Sequence, residues 1–368
     1  MAYWRKGGEQ VSQSTMDLNR AASPPFIAAD LPGIGGEIKA EPAHFVVEEL
    51  PLYEPAGEGE HVYVRLVREG WTTRALQSRL AGLFGLREVD VGCAGLKDRQ
   101  ARVAQTFSLL LHDVDEATVA RCIQEDLPVE VEWVRRHRNK LRVGHLLGNR
   151  FQIVVLHTEP DGLARAQAVA GALQARGIPN YYGTQRFGMR GDNAQRGREV
   201  LEGRGPRKRW LKRFLLSAYQ SALFNTWLAG RIERGWFEQL LTGDVAKKTD
   251  TGGLFEVADA AVERPRFERG EITYTGPIYG AKMRWPGGEP GELERQVMEA
   301  AGVTDEMLRR ARLDGTRRPA RLLLADLGIE PHPEGLRFTF TLPKGAYATT
   351  VLREFMKAEV AWEGEQEE

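Results

Sequence analysis

From residue 37 onward, apolar and polar positions fall into short, distinct periods. His44-Phe-Val-Val-Glu-Glu and His61-Val-Tyr-Val-Arg-Leu-Val-Arg alternate at period two, with Val62, Val64 and Leu66 on one face, and predict strands. Thr72 or Thr73 is placed to cap an amphipathic helix through Ala75, Leu76, Leu80 and Leu83. A short strand over 89–93 then runs into the loop Ala94-Gly-Leu-Lys-Asp-Arg-Gln, and another strand follows over 103–111. Phe151-Gln-Ile-Val-Val-Leu-His predicts a further strand, and 160–176 a helix closed by Gly177 and Pro179. Far downstream, Arg337-Phe-Thr-Phe-Thr-Leu alternates before Pro343, Gly345 and a helix through Val351, Leu352 and Phe355.

The middle has another texture. A strongly helical run over 206–232 carries Trp210, Phe214, Leu215, Ala218, Ala222 and Leu228, followed by glycine-rich connections and two short helices near Leu293 and Met307. Strands on both sides of a more helical middle predict a β-rich α+β domain carrying an inserted domain, with boundaries near 180 and 315. The first 30 or so residues, polar and rich in Ser, Ala and Pro, predict a loose lead, and the acidic end a solvated tail.

Composition narrows the setting. In 368 residues, 42% apolar and 28% charged is a globular balance. Cys93 and Cys122 lie far apart without a CxxC, which excludes a disulfide scaffold and suits a reducing cytosol. Neither a signal peptide nor a run of roughly 18 apolar residues is present, so a cytoplasmic protein without a membrane role is expected. Lys plus Arg equals Asp plus Glu at 51 each, but the charge is unevenly spread. Residues 135–150 hold six Lys/Arg and no acid, and 185–213 hold ten against three acids. Trp133, His137, Phe151, Phe187 and Trp210 are interleaved with them. Clustered cations and flat rings suit RNA phosphates and unstacked bases, although one such run alone is more often a solvated face.

No cofactor chemistry emerges. Gly276-Pro-Ile-Tyr-Gly-Ala-Lys has the wrong spacing for a phosphate loop, and Gly33-Ile-Gly-Gly lacks the third glycine of a dinucleotide site. The seven histidines never take a metal-ligand spacing, and Cys93 reads as a small buried residue. What remains is Asp98, in a glycine-bearing turn and flanked by Lys97 and Arg99, whose charges favour its ionised form. Such a carboxylate is suited to nucleophilic attack. Taken without further signal, an Asp so placed more often braces its own turn through the backbone.

The stretch Gly95-Leu-Lys-Asp-Arg-Gln-Ala-Arg-Val-Ala-Gln105 resembles the GxKDxxAxTxQ signature of the TruD family of tRNA pseudouridine synthases. Ile38-Lys-Ala-Glu-Pro-Ala-His-Phe-Val-Val-Glu-Glu49 resembles the family's early strand, and Gly144-His-Leu-Leu-Gly-Asn-Arg-Phe151 its GNxF segment. Pro179-Asn-Tyr-Tyr-Gly-Thr-Gln-Arg-Phe-Gly188 is similar to its NYxGxQRFG stretch, and residues 342–354 to its C-terminal block. These motifs span roughly residues 31–356 in the family order. Val103 departs from the signature's Thr, and Ala43-His44 from the acidic pair usual before Phe45.

The resemblance implies isomerisation of uridine to pseudouridine, at position thirteen in the D arm of tRNA, without a cofactor. It implies a catalytic pseudouridine synthase domain with a mainly antiparallel mixed sheet, from residues 31–180 and 315–368, and an inserted α/β family-specific domain over 181–314. Asp98 would be the nucleophile, attacking C1′ or C6, with Lys39 holding it ionised. Phe151 would stack on the flipped base, Asn149 would make a polar contact, and Phe45 and Phe340 would pack the pocket wall. Lys97, Arg99, Arg138, Lys140, Arg142, Arg150, Arg186 and Arg190 are the expected RNA contacts. The partner is tRNA, with no obligatory protein partner and a monomeric chain. The competing expectations are a non-catalytic tRNA-binding or RNA-chaperone protein of the same fold, and an Asp-nucleophile hydrolase. The hydrolase reading lacks the DxDx(T/V)-like loop and accessory carboxylates.

Overall fold

The structure is a computed structural model that describes residues 24–38 and 41–358. Its contacts divide the chain into two compact units, one from Pro25–Gly191 with the segment from Arg321 onward, the other containing Asp192–Ala320. The first unit begins with β1 (Gly35–Glu37), β2 (Phe45–Pro51), β3 (His61–Arg68), α1 (Thr73–Leu83), β4 (Gly92–Cys93) and β5 (Arg102–Leu110). It continues with α2 (Glu116–Asp126), β6 (Glu130–His137), β7 (Leu146–Thr158), α3 (Gly162–Arg176) and β8 (Ile178–Pro179). The second unit holds α4 (Asn193–Leu201), α5 (Arg209–Glu233), β9 (Val245–Lys248), β10 (Leu254–Glu256), α6 (Ala260–Glu268), β11 (Ile272–Ile278), α7 (Gly288–Ala300), α8 (Asp305–Arg310) and β12 (Thr316–Pro319). The chain then returns through β13 (Arg321–Leu322), β14 (Gly328–His332), β15 (Gly335–Pro343) and α9 (Ala348–Met356).

The main sheet of the first unit runs β14-β15-β7-β2-β5-β3-β6, with β1 beside β7 and β4 beside β5. Among the described residues only β2 and β5 pair in parallel, so the expected mixed, mainly antiparallel sheet is present. The period-two pattern explains its buried face. Phe151 lies opposite Val47 on β2 and Phe340 on β15, and Ile153 lies opposite Phe45 and Phe338. This face is covered by Ala166, Val169 and Leu173 of α3 and by Val351, Leu352 and Phe355 of α9. Each fully buried large apolar side chain contributes roughly 1.5–3 kcal/mol. A second core joins Val62, Val64 and Leu66 of β3 with Leu76 and Leu80 of α1 and Val119 and Ile123 of α2. Gly148 on β7 is obligatory for close pairing: a Cβ there would sit 2.1 Å from the carbonyl oxygen of Leu342 on β15.

Of the two candidate caps, Thr72 does the capping, accepting a 3.0 Å bond from Ala75 N, while Thr73 is fully buried. Strand β6 carries the start of the first basic run, and Arg136 spends its guanidinium on the carbonyls of Gly59, Leu111, His112 and Val114. His61 and His137 are register partners across β3 and β6. Burial lowers both imidazoles from 6.5; Lys140 and the other histidines push His61 down further against Glu60, and Arg138 pushes down His137. The unfolded chain therefore takes up protons near pH 6.5 while the folded one resists. This stabilisation is complete above 6.5 and is lost as pH falls through the lowered folded values. His61→Gln is expected to flatten the dependence of urea-unfolding stability on pH below 6.5; an unchanged slope would refute the linkage.

In the second unit, α5 begins and ends within three residues of its expected span and packs on α4 at Gly197, whose Cβ would lie 2.1 Å from Leu215 O. The strands β10-β9-β11-β12 form a small antiparallel sheet that their length made hard to read from sequence. Two buried, two-pronged ion pairs brace this unit: Arg231 with Asp244, both bonds 2.7 Å, and Arg317 with Glu294 at 2.7 and 2.8 Å. Among the described residues, no helix is long and apolar enough to cross a membrane.

Candidate active site

Strands β2, β5 and β7 set side chains two residues apart on one face, and that face turns polar at one end. Glu49 follows Phe45 and Val47 on β2, Gln105 follows Val103 on β5, and Asn149 precedes Phe151 on β7. Over this end lies the loop Gly95-Leu-Lys-Asp. Gln105 Nε2 donates to Gly95 O at 2.6 Å, and the Thr73 hydroxyl accepts from Lys97 N at 2.9 Å. Arg68, only 1% exposed, donates to Asp98 O at 3.2 Å, Lys97 O at 3.3 Å and Trp71 O. A buried cation under three carbonyls fixes a turn that has no repetitive backbone bonding of its own.

The result is a pocket of about 400 Å³ lined by Asp98, Phe45, Asn149, Phe151, Tyr347 and Thr349, among others. Asp98 is half-buried, and its Oδ1 accepts a 3.3 Å bond from Gln100 N, so the carboxylate also takes part in its turn. Phe45 and Phe151 meet edge to face at 6.3 Å between centroids. Thr349 donates to Gln185 at 3.1 Å, tying the C-terminal block to the Asn-Tyr-Tyr-Gly-Thr-Gln stretch at the pocket wall. Asn149 Oδ1 is buried and accepts no hydrogen bond from the described residues. A buried amide oxygen without a donor costs about 1–3 kcal/mol, a cost that a ligand N–H would remove.

Several expected roles shift. Lys97, foreseen as an RNA contact, is 6% exposed and bound at 2.8 Å to Glu49, which is 2% exposed; the buried carboxylate takes its charge inward. Phe340 stands one layer behind the wall, fully buried with its ring 5.6 Å from Phe151. Arg138 pairs with Glu58, and Lys140 is tied to Val89 O. Arg99 donates to Gly70 O at 3.1 Å, and Arg186 lies 5.8 Å over the Tyr182 ring. Arg142, Arg150 and Arg190 are exposed, without ion-pair partners among the described residues. Lys39 lies outside the described residues.

Sequence reasoning missed Glu49, Arg68, Thr73 and Tyr347. Tyr347 stood inside the C-terminal block. Glu49 was legible only as a charge on the inward face of an alternating strand, where a buried partner must be supplied. Arg68 and Thr73 carry no local signal. Among the described residues, no group of three or more His, Cys, Asp or Glu is placed to hold a metal ion.

The profile of the family described as tRNA pseudouridine synthase D (TruD) matches residues 25–208 and 206–355. The tRNA pseudouridine synthase D of Anaeromyxobacter dehalogenans strain 2CP-C is 46% identical over 345 residues, covering 91% of this chain and 97% of its own. That of Thermus thermophilus is 46% identical over 337 residues, covering 91% and 92%. That of Geobacter sulfurreducens is 37% identical over 400 residues, covering 90% and 96%. A crystal structure from Methanosarcina mazei, assigned to TruD, shares the fold with a TM-score of 0.76 at 24% identity, over 93% of this chain and 98% of that one. By its motifs, its fold and these matches, the chain belongs to the TruD family of tRNA pseudouridine synthases.

Proposed function

We propose that this protein isomerises uridine to pseudouridine in tRNA, at position thirteen of the D arm, with Asp98 as nucleophile. The observation that carries this reading is convergence: five separated sequence motifs supply one pocket with a carboxylate, facing rings and an unsatisfied amide oxygen. The reaction breaks the N1–C1′ bond, rotates the uracil and forms a C5–C1′ bond, with the C5 proton lost and N1 protonated. Nothing is oxidised or added, and no cofactor is required.

A uridine inside folded RNA must leave its stack to reach such a pocket. Phe151, edge-on to Phe45 and backed by Phe340, offers the base an aromatic partner. Asn149 Oδ1 accepts from uracil N3–H. Asp98 attacks C1′ of the ribose or C6 of the ring, and Lys39 holds it ionised. Arg142, Arg150, Arg186 and Arg190 contact phosphates. The unit built from both chain ends is the catalytic domain, and residues 192–320 are the inserted family-specific domain. The protein works as a monomer in the cytoplasm.

The direct test is conversion of unmodified tRNA transcripts in EDTA, mapped by carbodiimide reactivity. One D-arm uridine is expected to become pseudouridine; no conversion across the full tRNA pool by folded protein would favour a non-catalytic RNA-binding role. Asn149→Ala is expected to lower kcat/KM roughly ten- to hundredfold, the worth of one buried hydrogen bond. An N3-methyluridine substrate should impose a similar loss on the wild type and little further loss on the variant. A full additional loss in the variant would remove Asn149 from base recognition.

A further inference from the structure

The second unit has a pocket of its own, about 820 Å³, which the reaction leaves unused. Its rim is basic: Arg209, Lys212 and Arg213 from the first turns of α5, and Arg310 and Arg312 around the end of α8. Among the described residues, the one acid lining it is Asp314, which is bound to Lys282 at 3.0 Å. Among the described residues, Arg209, Lys212, Arg213 and Arg312 have no ion-pair partner and are exposed. That contrasts with the neighbouring Arg198 and Arg204, which both pair with Glu202. In a chain with 51 cations and 51 acids, leaving such a cluster unneutralised costs self-repulsion unless an anion occupies it.

The interior fixes the ligand's class further. Lys208 provides no side-chain cap for α5 and no acid occupies its first turn, so the positive end of a 25-residue helix adds to the rim's field. Val200, Leu201, Leu216 and Leu313 make an apolar floor. Gln220, also in the lining and 8% exposed, gives its Nε2 to Tyr279 O at 2.6 Å, which leaves its Oε1 without a partner among the described residues. An acceptor below a cationic rim suits a hydroxyl beside an anion, which is the ribose 2′-OH next to a phosphodiester.

We propose that this pocket is an anchor for the RNA substrate, holding one backbone phosphate and its adjoining ribose, distinct from the pocket that takes the uracil. The proposal rests on the RNA-modifying reading above but is tested by binding, so the two can fail separately. The charge-removing variant is Lys212→Gln/Arg213→Gln, both exposed helix positions, with Lys212→Arg/Arg213→Lys as the charge-keeping version. Arg295→Gln, exposed in the same unit and outside the pocket, is the control for loss of a cation elsewhere in the unit.

Unmodified tRNA is titrated by fluorescence anisotropy at several salt concentrations. The charge-removing variant should bind roughly tenfold more weakly, with a salt slope shallower by about one for each phosphate it no longer engages. KM for tRNA should rise with kcat unchanged, and Gln220→Met should narrow the preference for RNA over DNA of the same sequence. The charge-keeping variant and Arg295→Gln should bind as wild type does. Equal affinity and slope in the charge-removing variant would overturn the anchor. So would calorimetric binding of inorganic phosphate that tRNA does not displace, since it would make the pocket a small-anion site. Absence of conversion by wild type with these binding results intact would sink the isomerase and keep the anchor.

Discussion

Asp98→Asn is expected to abolish uridine isomerisation, lowering the single-turnover rate by roughly 10⁴-fold or more, as removal of an essential nucleophile does. Asparagine is the informative substitution because it separates two roles of one side chain. The carboxylate's Oδ1 accepts from Gln100 N at 3.3 Å, and an asparagine oxygen can keep that bond. Loop geometry, thermal stability and tRNA affinity should therefore survive while nucleophilicity is lost. Rapid-quench measurement with the D-arm uridine mapped, alongside tRNA binding and a melting curve, reads all three quantities. Retained activity would remove Asp98 as the nucleophile. Inactivity accompanied by a lowered melting temperature would instead assign Asp98 to bracing its turn.

The second large effect lies beneath the loop. Glu49→Leu should destabilise the protein by about 3–5 kcal/mol, because it leaves the Lys97 ammonium buried and unpaired. Thr106 N is also deprived of its 3.4 Å bond to Glu49 Oε1. Adding Lys97→Met to Glu49→Leu should recover most of the stability, since an apolar pair of similar volume needs no desolvated charge. Urea unfolding of the two single variants and the double variant closes the cycle. A Glu49→Leu protein within about 0.5 kcal/mol of wild type would show that the pair carries no structural weight. The recovered double variant should remain impaired in kcat, because Lys97 precedes Asp98 and its backbone is held by Thr73 and Arg68.

Much of this protein was legible along the chain. Alternation at 61–68 and 337–342 identified β3 and β15 because successive side chains of a strand point to opposite faces, although the fold buries both faces of β3 from Val62 to Arg68. Helix α5 was legible because its apolar stripe runs for several turns. Asp98, Asn149 and Phe151 stood in motifs, so their candidacy required no coordinates. What local sequence could not supply is everything fixed by pairing across long separations. The strands β9–β12 are each seven residues or fewer, too short for periodicity to distinguish them from loops.

Charge was the least readable feature. Lys97 looked like a cation offered to RNA until the register of β2 brought Glu49 beneath it, and Arg138 and Lys140 looked free until residues some fifty to eighty positions away engaged them. Arg68 is an ordinary arginine in an alternating strand, yet the fold buries it under three carbonyls and makes it the floor of the loop. Sequence thus determined the period of the long strands and helices and, through its motifs, which groups are candidates for the chemistry. Tertiary structure decided which charges are neutralised and which remain available, because Coulomb partners and desolvation depend on distance in space rather than along the chain.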